Sequence, residues 1–540
     1  MNGTSVASEV DGRSILAGGQ VALRYSFIPA AHWYGEAGTS SPASWLDLVH
    51  DEIERSAVAS QYVEPLASFY VDVTVPFTRR RRLPIAAMVE PIADWTHPPQ
   101  LVEIDIDAIE TIWEGHVHTV PPVRIMAQFR DAIAFFESGH VVYSPSFLLQ
   151  APVQQPDGSV VSSNVLNPLH VSALTSLVSS PSAGYGQDHS GIRSKISFRY
   201  IGAAQGQDLA TFVNNRLRTL ADPQSTDNVF ADLIRPVLLK AGWSDQQRDK
   251  ARNSVAGMTW SNLRSASVEV VGAERHDDVI TWCRAAADEK LRVDTGAQAL
   301  AALSQNILDV DNQDEHEVID SLSQAVIVHG EVLLIHPQSC LRYSHYSRSF
   351  AEMRDVIGGC PYFMLTNLVL AYNEYLLDRS ARLIDRVQRV VRHAGWTETR
   401  EAGNAQLARD DLKARVQLFE HQTLHVLPNI FRYPTERTMF DEIVRQRGLG
   451  QRAAGIERFT HNLYELRKDA IDLAEREGSR RTNALLMALG IFQVSGLLLT
   501  ALGLTEFGDY GAPRFVVWGV FFLCLLVGVG VAAFAFARKK

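Results

Sequence analysis

Residues 484–504 read ALLMALGIFQVSGLLLTALGL and contain no charged side chain. As an α-helix this stretch would be about 31 Å long, which matches the hydrocarbon thickness of a bilayer. A second uncharged run, 515–537, follows a short segment that contains Gly508, Gly511 and Pro513. The pattern predicts two antiparallel transmembrane helices, 484–504 and 515–537, joined by a short external loop. The alternative is a pair of buried helices in a soluble domain, which rarely run this long without a charge.

The charges that flank the two runs predict their orientation. Three arginines precede the first run and three basic residues follow the second, namely Arg476, Arg480, Arg481, Arg538, Lys539 and Lys540. Since cytoplasmic flanks of membrane helices are enriched in Lys and Arg, both termini are predicted to be cytoplasmic. Residues 1–20 lack a basic region followed by an apolar one, so no secretory signal is predicted. The predicted localisation is therefore the inner (cytoplasmic) membrane, as a multi-pass protein.

Residues 1–360 predict a cytoplasmic α/β domain, with a possible seam near 151–194 where Ser, Gly and Pro are frequent. Apolar and polar side chains alternate at 21–27, 69–77 and 102–107, which is typical of half-buried strands. Another strand is predicted at 196–200, and hairpins are predicted at 132–143 and at 325–336, the second turning at His329 and Gly330. Helical patterns occur at 44–60, 207–220, 227–241 and 275–290.

From about Pro361 the pattern becomes helical, and 361–481 predict long helices that form a coiled-coil stalk. The candidate helices are 362–393, 406–425 and a third that starts at Thr435. Within the third helix, apolar residues recur at alternating spacings of three and four, namely Ile456, Phe459, Leu463, Leu466, Ala470 and Leu473. Such a repeat is the a/d seam of a coiled coil, and the alternative is an ordinary bundle helix. A third domain, 482–540, holds the two apolar runs.

Composition excludes several classes of function. The chain of 540 residues has a net charge of −10 and no long block of like charge, so DNA binding is not expected. The four cysteines are far apart, and no CxxC pair indicates a zinc site or a disulfide framework. Neither a phosphate-binding GK[ST] loop nor a GxSxG elbow nor a kinase signature is present, so the sequence predicts no enzyme.

The order of these features resembles the CorA-like family of metal-ion transporters. The residues that carry the resemblance are the hairpin, PYFMLTNLVLAYNEYLL at 361–377 and FRYPTERTMFDEIVRQRGL at 431–449. The resemblance implies a homo-oligomer, a pentamer, whose first membrane helix lines a central pore and whose stalk helices sense metal. Members of the family carry a Gly-Met-Asn signature after that helix. This chain reads ALGLTE at 501–506 instead, so selectivity for Mg²⁺ does not carry over.

The sequence therefore predicts a CorA-like fold, an α+β cytoplasmic domain followed by stalk helices and a C-terminal two-helix transmembrane hairpin. The predicted function is conduction of divalent metal cations, gated by the cytoplasmic domain. One alternative is a nucleotide-signal-gated membrane effector of a bacterial antiviral defence system, and another is a membrane-anchored sensor without a pore. The expected partners are the lipid bilayer, further copies of the chain, metal cations such as Mg²⁺ and a nucleotide signal.

The candidate pore residues share one face of the first apolar run. On a helical wheel the polar and small side chains form one stripe, made of Asn483, Gly490, Gln493, Gly496, Thr500 and Gly503. An amide that faces lipid is unfavourable, so Gln493 should face protein or water. The stripe predicts a pore lining, and the alternative is close packing of helices through small residues. Glu506 and Asp509 would lie at the outer mouth of the pore.

Two further groups are candidate ligand sites. His421 and His425 are four residues apart on one predicted helix face, which can place two imidazoles on a transition metal. The alternative is a pair of partly buried or solvated histidines without a metal. Four consecutive arginines, Arg79, Arg80, Arg81 and Arg82, suit an anionic ligand because guanidinium groups bind phosphate in a bidentate way. The alternative here is a solvated loop paired with acidic residues.

Overall fold

The structure is a computed structural model, and it divides the chain into two compact units. The first unit comprises 1–379 and 417–453, and the second comprises 380–416 and 454–540. The structure describes the following residues, together with single positions and short groups elsewhere: 15–28, 85–89, 100–113, 116–136, 141–150, 153–154, 160–161, 166–178, 192–221, 259–305, 314–336, 339–344, 361–398 and 434–504.

A mixed sheet of ten strands forms the centre of the first unit. The strands described in the chain are β1 (Gln20–Phe27), β2 (Ile85–Val89), β3 (Gln100–Ile106), β4 (Ile109–Trp113), β5 (His116–Val120), β6 (Val123–Phe136), β7 (Val141–Gln150), β8 (Val153–Gln154), β9 (Val160–Val161), β10 (Ile196–Tyr200), β11 (Leu263–Val271), β12 (Val326–Val328), β13 (Glu331–Ile335) and β14 (Ser339–Ser344). Nine of them lie in the order β10-β3-β6-β7-β1-β11-β14-β13-β12, and β2 pairs with β6. The pairs β4–β5 and β8–β9 form two separate ribbons.

Eight α-helices are described. They are α1 (Pro168–Thr175), α2 (Leu209–Ala221), α3 (His276–Ala287), α4 (Thr295–Gln305), α5 (Glu315–Ser323), α6 (Pro361–Glu398), α7 (Pro434–Gln446) and α8 (Leu449–Leu504). Strands β11 and β14 are adjacent and parallel. Because parallel neighbours need a long crossover, the connection between them has room for α3, α4 and α5 and for the hairpin of β12 and β13.

One face of the central strands contributes to the main hydrophobic core. Val21, Leu23, Tyr25 and Phe27 of β1 are all fully buried, as the alternation of side chains along a strand requires. Aromatic rings fill the core next to α2. The ring centroids of Phe147 and Phe198 lie 5.3 Å apart, and those of Phe129 and Phe212 lie 5.2 Å apart. The sheet is thus held by large side chains from strands that are far apart in sequence.

The strand predictions that fall on described residues are confirmed. They are those at 21–27, 102–107 and 196–200 and the hairpin at 132–143. The prediction that β1 is only half-buried is wrong, because Arg24 and Ser26 on its other face are also buried. The helices predicted at 207–220 and 275–290 are confirmed as α2 and α3. The predictions at 44–60, 69–77 and 227–241 lie outside the described residues.

The hairpin predicted at 325–336 is confirmed, with its turn at the predicted dipeptide. His329 has φ 51° and Gly330 has φ 81°. A two-residue loop with both central residues at positive φ matches the right-handed twist of the flanking strands. This turn brings Val326 opposite Leu333 and Val328 opposite Glu331.

The long helices differ from their prediction in where they break. The helix predicted at 362–393 is confirmed as α6. The helix predicted from Thr435 onwards is divided in two, because Gly448 adopts φ 64° between α7 and α8, a conformation that ends helices. Gly478 does not interrupt α8. Most of the predicted helix 406–425 lies outside the described residues.

The predicted two-helix membrane hairpin is wrong, and with it the CorA-like fold class. A membrane-crossing helix needs about 20 consecutive apolar residues, and no helix in the described part of the chain is both long enough and apolar enough. After Leu504 the structure describes Gly519, Phe522, Leu523, Leu526, Val527 and Gly530. What the structure shows instead is a large mixed sheet with helices. The multi-pass localisation in the inner membrane, with both termini cytoplasmic, falls with the hairpin.

Candidate functional site: an arginine–carboxylate junction on helix α6

The predicted pore residues all belong to the second unit. Asn483, Gln493 and Gly496 are exposed on α8, and Gly490 is partly exposed. Thr500 and Gly503 also lie on α8, but their surroundings are outside the described part. The pore lining therefore stays a prediction.

The other predicted site residues lie outside the described residues. They are Glu506 and Asp509, the pair His421 and His425, and the run Arg79, Arg80, Arg81 and Arg82. Within the described part of the chain, no group of three or more His, Cys, Asp or Glu side chains is arranged to hold a metal ion.

The structure brings together a different set of charged residues, around α6 in the first unit. The first group lies in the sheet beneath the start of α6. Arg342 on β14 pairs with Glu269 on β11 and with Glu331 at the start of β13. Ser344 also donates to Glu331, with 3.4 Å between Oγ and Oε1. The side chains of Arg342 and Glu269 are at most 5% exposed.

Register explains why these charges meet. Glu269 and Arg342 are direct partners in the parallel pair of β11 and β14, so both project from the same face of the sheet. That face is opposite to the one that carries Val268 and Leu341 into the hydrophobic core. The guanidinium of Arg342 also lies 5.7 Å from the ring centroid of Phe363 in α6, a cation–π distance. The polar face of the sheet is therefore closed partly by an aromatic side chain of α6.

The second group forms around Arg447, the residue that follows α7. Its Nη1 donates to Glu374 Oε1 on α6 at 2.8 Å. Its Nε donates to the main-chain oxygen of His336 at 3.2 Å, and its Nη2 donates to that of Ser339 at 3.1 Å. All three guanidinium nitrogens are thus engaged, and the side chain is only 2% exposed. One arginine joins α6, the corner between α7 and α8, and the turn between β13 and β14.

The third group lies one helical turn further along α6. Asp378 binds Arg264 of β11, with 3.0 Å between Nη1 and Oδ2, and also binds Arg452 in the first turns of α8. Arg264 lies with its guanidinium 5.4 Å from the ring centroid of Tyr375. Because Glu374 and Asp378 are four residues apart, they share one face of α6. We refer to Arg264, Arg447, Arg452, Glu374 and Asp378 as the arginine junction.

The junction joins α6 to α8 and to the sheet through ion pairs, and two titratable side chains, His336 and Cys340, lie near Arg447. Burial and the positive charge of Arg447 lower the pKa of His336 to about 4, so this imidazole is neutral near pH 7. Burial raises the pKa of Cys340 on β14 to about 12, so its thiol is protonated and a poor nucleophile. The junction can keep the start of α8 and the middle of α6 in a fixed position relative to strands β11 and β14.

Sequence reasoning did not find these residues. Arg264, Arg447 and Arg452 belong to no motif, and their partners lie 73 to 114 residues away in the chain. One weak signal was available in the sequence. Glu374 and Asp378 recur at four-residue spacing within an otherwise apolar stretch of helix, and charges that lie beside a buried face usually have partners.

No protein-family model matches this chain, and no curated protein matches it. The resemblance to CorA-like transporters therefore stays a prediction that rests on the quoted residues.

Proposed function

We propose that this protein is a regulated self-assembling protein. In the proposal, α8 associates with α8 of further copies of the chain. The α/β unit controls this association through the arginine junction, which fixes the start of α8. Divalent-cation conduction, a pentameric state and gating by a nucleotide signal stay predictions from the sequence.

The observation that carries the proposal is the exposed apolar surface of α8. Large apolar side chains stand out from the helix along several turns, namely Leu485, Leu486, Met487, Leu489, Val494 and Leu497, with exposed fractions between 47% and 71%. Exposed apolar patches of this kind on a folded chain mark interaction surfaces.

The proposed occupant is a second copy of α8, because the same helix carries a self-association pattern. The heptad spacing predicted from Ile456 to Leu473 lies within the continuous helix α8, and Phe459 of that pattern is exposed. Seams of this kind associate with identical helices through knobs-into-holes packing. Met487 and Val494 of the patch continue the d positions of this repeat at intervals of seven residues, so a single parallel association covers the repeat and this part of the patch.

The test is the mass of the full chain in solution. Met487 and Val494 are seven residues apart, lie at d positions of the heptad repeat and share a face of the helix to within about 20°. The double variant Met487→Glu/Val494→Glu should have a mass near the 59.9 kDa of one chain, while the unmodified protein sediments as a multiple of it. The matched control is Leu412→Glu, which changes an equally exposed leucine outside α8 and should leave assembly unchanged. A monomeric unmodified protein, or a double variant that assembles normally, would refute the proposal.

A further inference from the structure

Helix α6 carries a line of buried polar residues with heptad spacing. Thr366, Asn373 and Ser380 are seven residues apart and are each fully buried. Seven residues turn a helix by nearly two full turns, so the three side chains stay on one stripe to within about 40°. Val369 and Leu376, three residues after the first two, are also fully buried. The stripe therefore has the layout of a coiled-coil seam in which one of the two core positions is polar.

The central residue of this line has unsatisfied hydrogen-bonding groups. In the described structure, neither Oδ1 nor Nδ2 of Asn373 has a hydrogen-bond partner. The neighbouring polar residues do have partners: Ser380 Oγ donates to the main-chain oxygen of Ala414 at 3.3 Å, and Asn367 Nδ2 donates to that of Phe363 at 2.7 Å. A buried amide without partners is unfavourable, and such groups are rare in native structures.

The unsatisfied amide opposes the interactions that hold α6 in place. Glu374, the next residue, and Asp378 are bound by the arginines of the junction. Those ion pairs favour the present position of α6, while the bare amide of Asn373 disfavours it. An asparagine at a core position of a helical seam ordinarily fixes the alignment in which its amide is hydrogen-bonded. The position of α6 described here does not satisfy that requirement.

We propose that α6 has a second packing position, shifted or rotated from the present one, in which the amide of Asn373 is hydrogen-bonded. The junction selects the present position, and release of Glu374 and Asp378 favours the second. Proteins use such elements with two discrete packings as switches. The inference rests on the proposed function, because it names the element through which the α/β unit would control α8.

The test is amide hydrogen exchange along α6 in the full chain, with Asn373→Leu compared with the unmodified protein. Removing the amide removes what favours the second position, so exchange of the α6 amides should slow by about tenfold. Asn373→Ala adds no volume to the core and should also slow exchange of the α6 amides. This variant provides the test if Asn373→Leu does not fold. The matched control is Asn367→Ala, which removes a made hydrogen bond from the same helix and should not slow exchange.

Unchanged or faster exchange in the Asn373 variants would overturn the inference. Such a result would mean that the side-chain amide of Asn373 either has no effect on the present packing of α6 or stabilises it. This readout is independent of the mass of the assembly. A failure of self-association would therefore leave the result for α6 intact, and a failure here would leave the test of α8 intact.

Discussion

Two buried arginines organise the first unit at the scale of single residues. Arg342 lies in the sheet between Glu269 and Glu331, and Arg447 uses all three of its guanidinium nitrogens at the corner between α7 and α8. Removing one partner of such a group leaves a buried charge uncompensated, at a cost of about 3–5 kcal/mol. Burial and the positive charge of Arg447 together lower the pKa of the neighbouring His336, and this effect can be measured.

His336 should make the first unit sensitive to acid. Because its pKa in the folded chain is lowered to about 4, against about 6.5 in an unfolded chain, the unfolded state binds the proton more readily. The contribution of this residue to stability is complete above about pH 6.5 and is lost as the pH falls towards 4, by about 3 kcal/mol in total. Urea unfolding of His336→Asn at pH 7 and at pH 4.5 should therefore show a smaller loss of stability than the unmodified protein.

The control for this experiment is His329→Asn. His329 is exposed in the turn between β12 and β13 with φ 51°, a conformation that asparagine adopts readily. This variant should lose stability on acidification as the unmodified protein does. If His336→Asn loses as much stability on acidification as the unmodified protein, the acid sensitivity comes from the carboxylates of the unit and not from the imidazole of His336.

At the scale of elements, α3 and α4 approach each other more closely than any side chain at Gly296 would allow. A Cβ atom at this position would lie 2.4 Å from Cη2 of Trp282 and 2.9 Å from Nη1 of Arg275, which itself stacks on the Trp282 ring. Gly296→Ala should therefore destabilise the first unit by about 1–3 kcal/mol, as measured by chemical unfolding. Gly455→Ala on α8 meets open space and should stabilise its helix by about 0.5–1 kcal/mol. Equal effects of the two variants would mean that α3 and α4 separate easily.

The elements show how far the sequence predicts the fold. Alternation predicted β1, and the His329–Gly330 dipeptide predicted a hairpin turn, because both signals are local. The same alternation gave the wrong exposure for Arg24, which is buried and whose Nε donates to Oγ of Ser146 on the neighbouring strand β7 at 2.8 Å. The membrane hairpin predicted from the uncharged runs at 484–504 and 515–537 is wrong, because no helix in the described part of the chain is both long enough and apolar enough to cross a membrane. Local patterns identify elements, and partners from distant segments decide what each face contacts.

At the scale of the whole molecule, the candidate site could not be predicted for the same reason. The arginine junction joins β11, α6 and the corner between α7 and α8, which are separated by 73 or more residues in the chain. No spacing rule relates an arginine on a strand to a carboxylate on a helix more than a hundred residues later. By contrast, the exposed apolar residues of α8 all lie within 485–497, so the uncharged run of the sequence marks this surface although its predicted environment is wrong.

The junction and the surface of α8 are connected through one chain, and Asp378→Asn tests whether they are connected in function. The substitution keeps the volume of the side chain and removes the charge that binds Arg264 and Arg452. Because Arg452 lies in the first turns of α8, a loosened junction should leave the start of that helix less ordered. Ordering it again on association has an entropic cost. The proposed self-association should therefore weaken by about three- to tenfold, as measured by sedimentation, while stability falls by only about 1 kcal/mol.

Asp385→Asn is the matched control, because Asp385 forms an exposed ion pair with Arg389 on the same helix and the variant changes the net charge by the same amount. It should leave assembly unchanged. If both variants weaken assembly equally, the effect is one of net charge and the junction has no specific part in it. If Asp378→Asn lowers stability but assembles normally, the junction only supports the fold. A change in assembly that is confined to Asp378→Asn is the outcome that only a regulatory connection between the sheet and α8 explains.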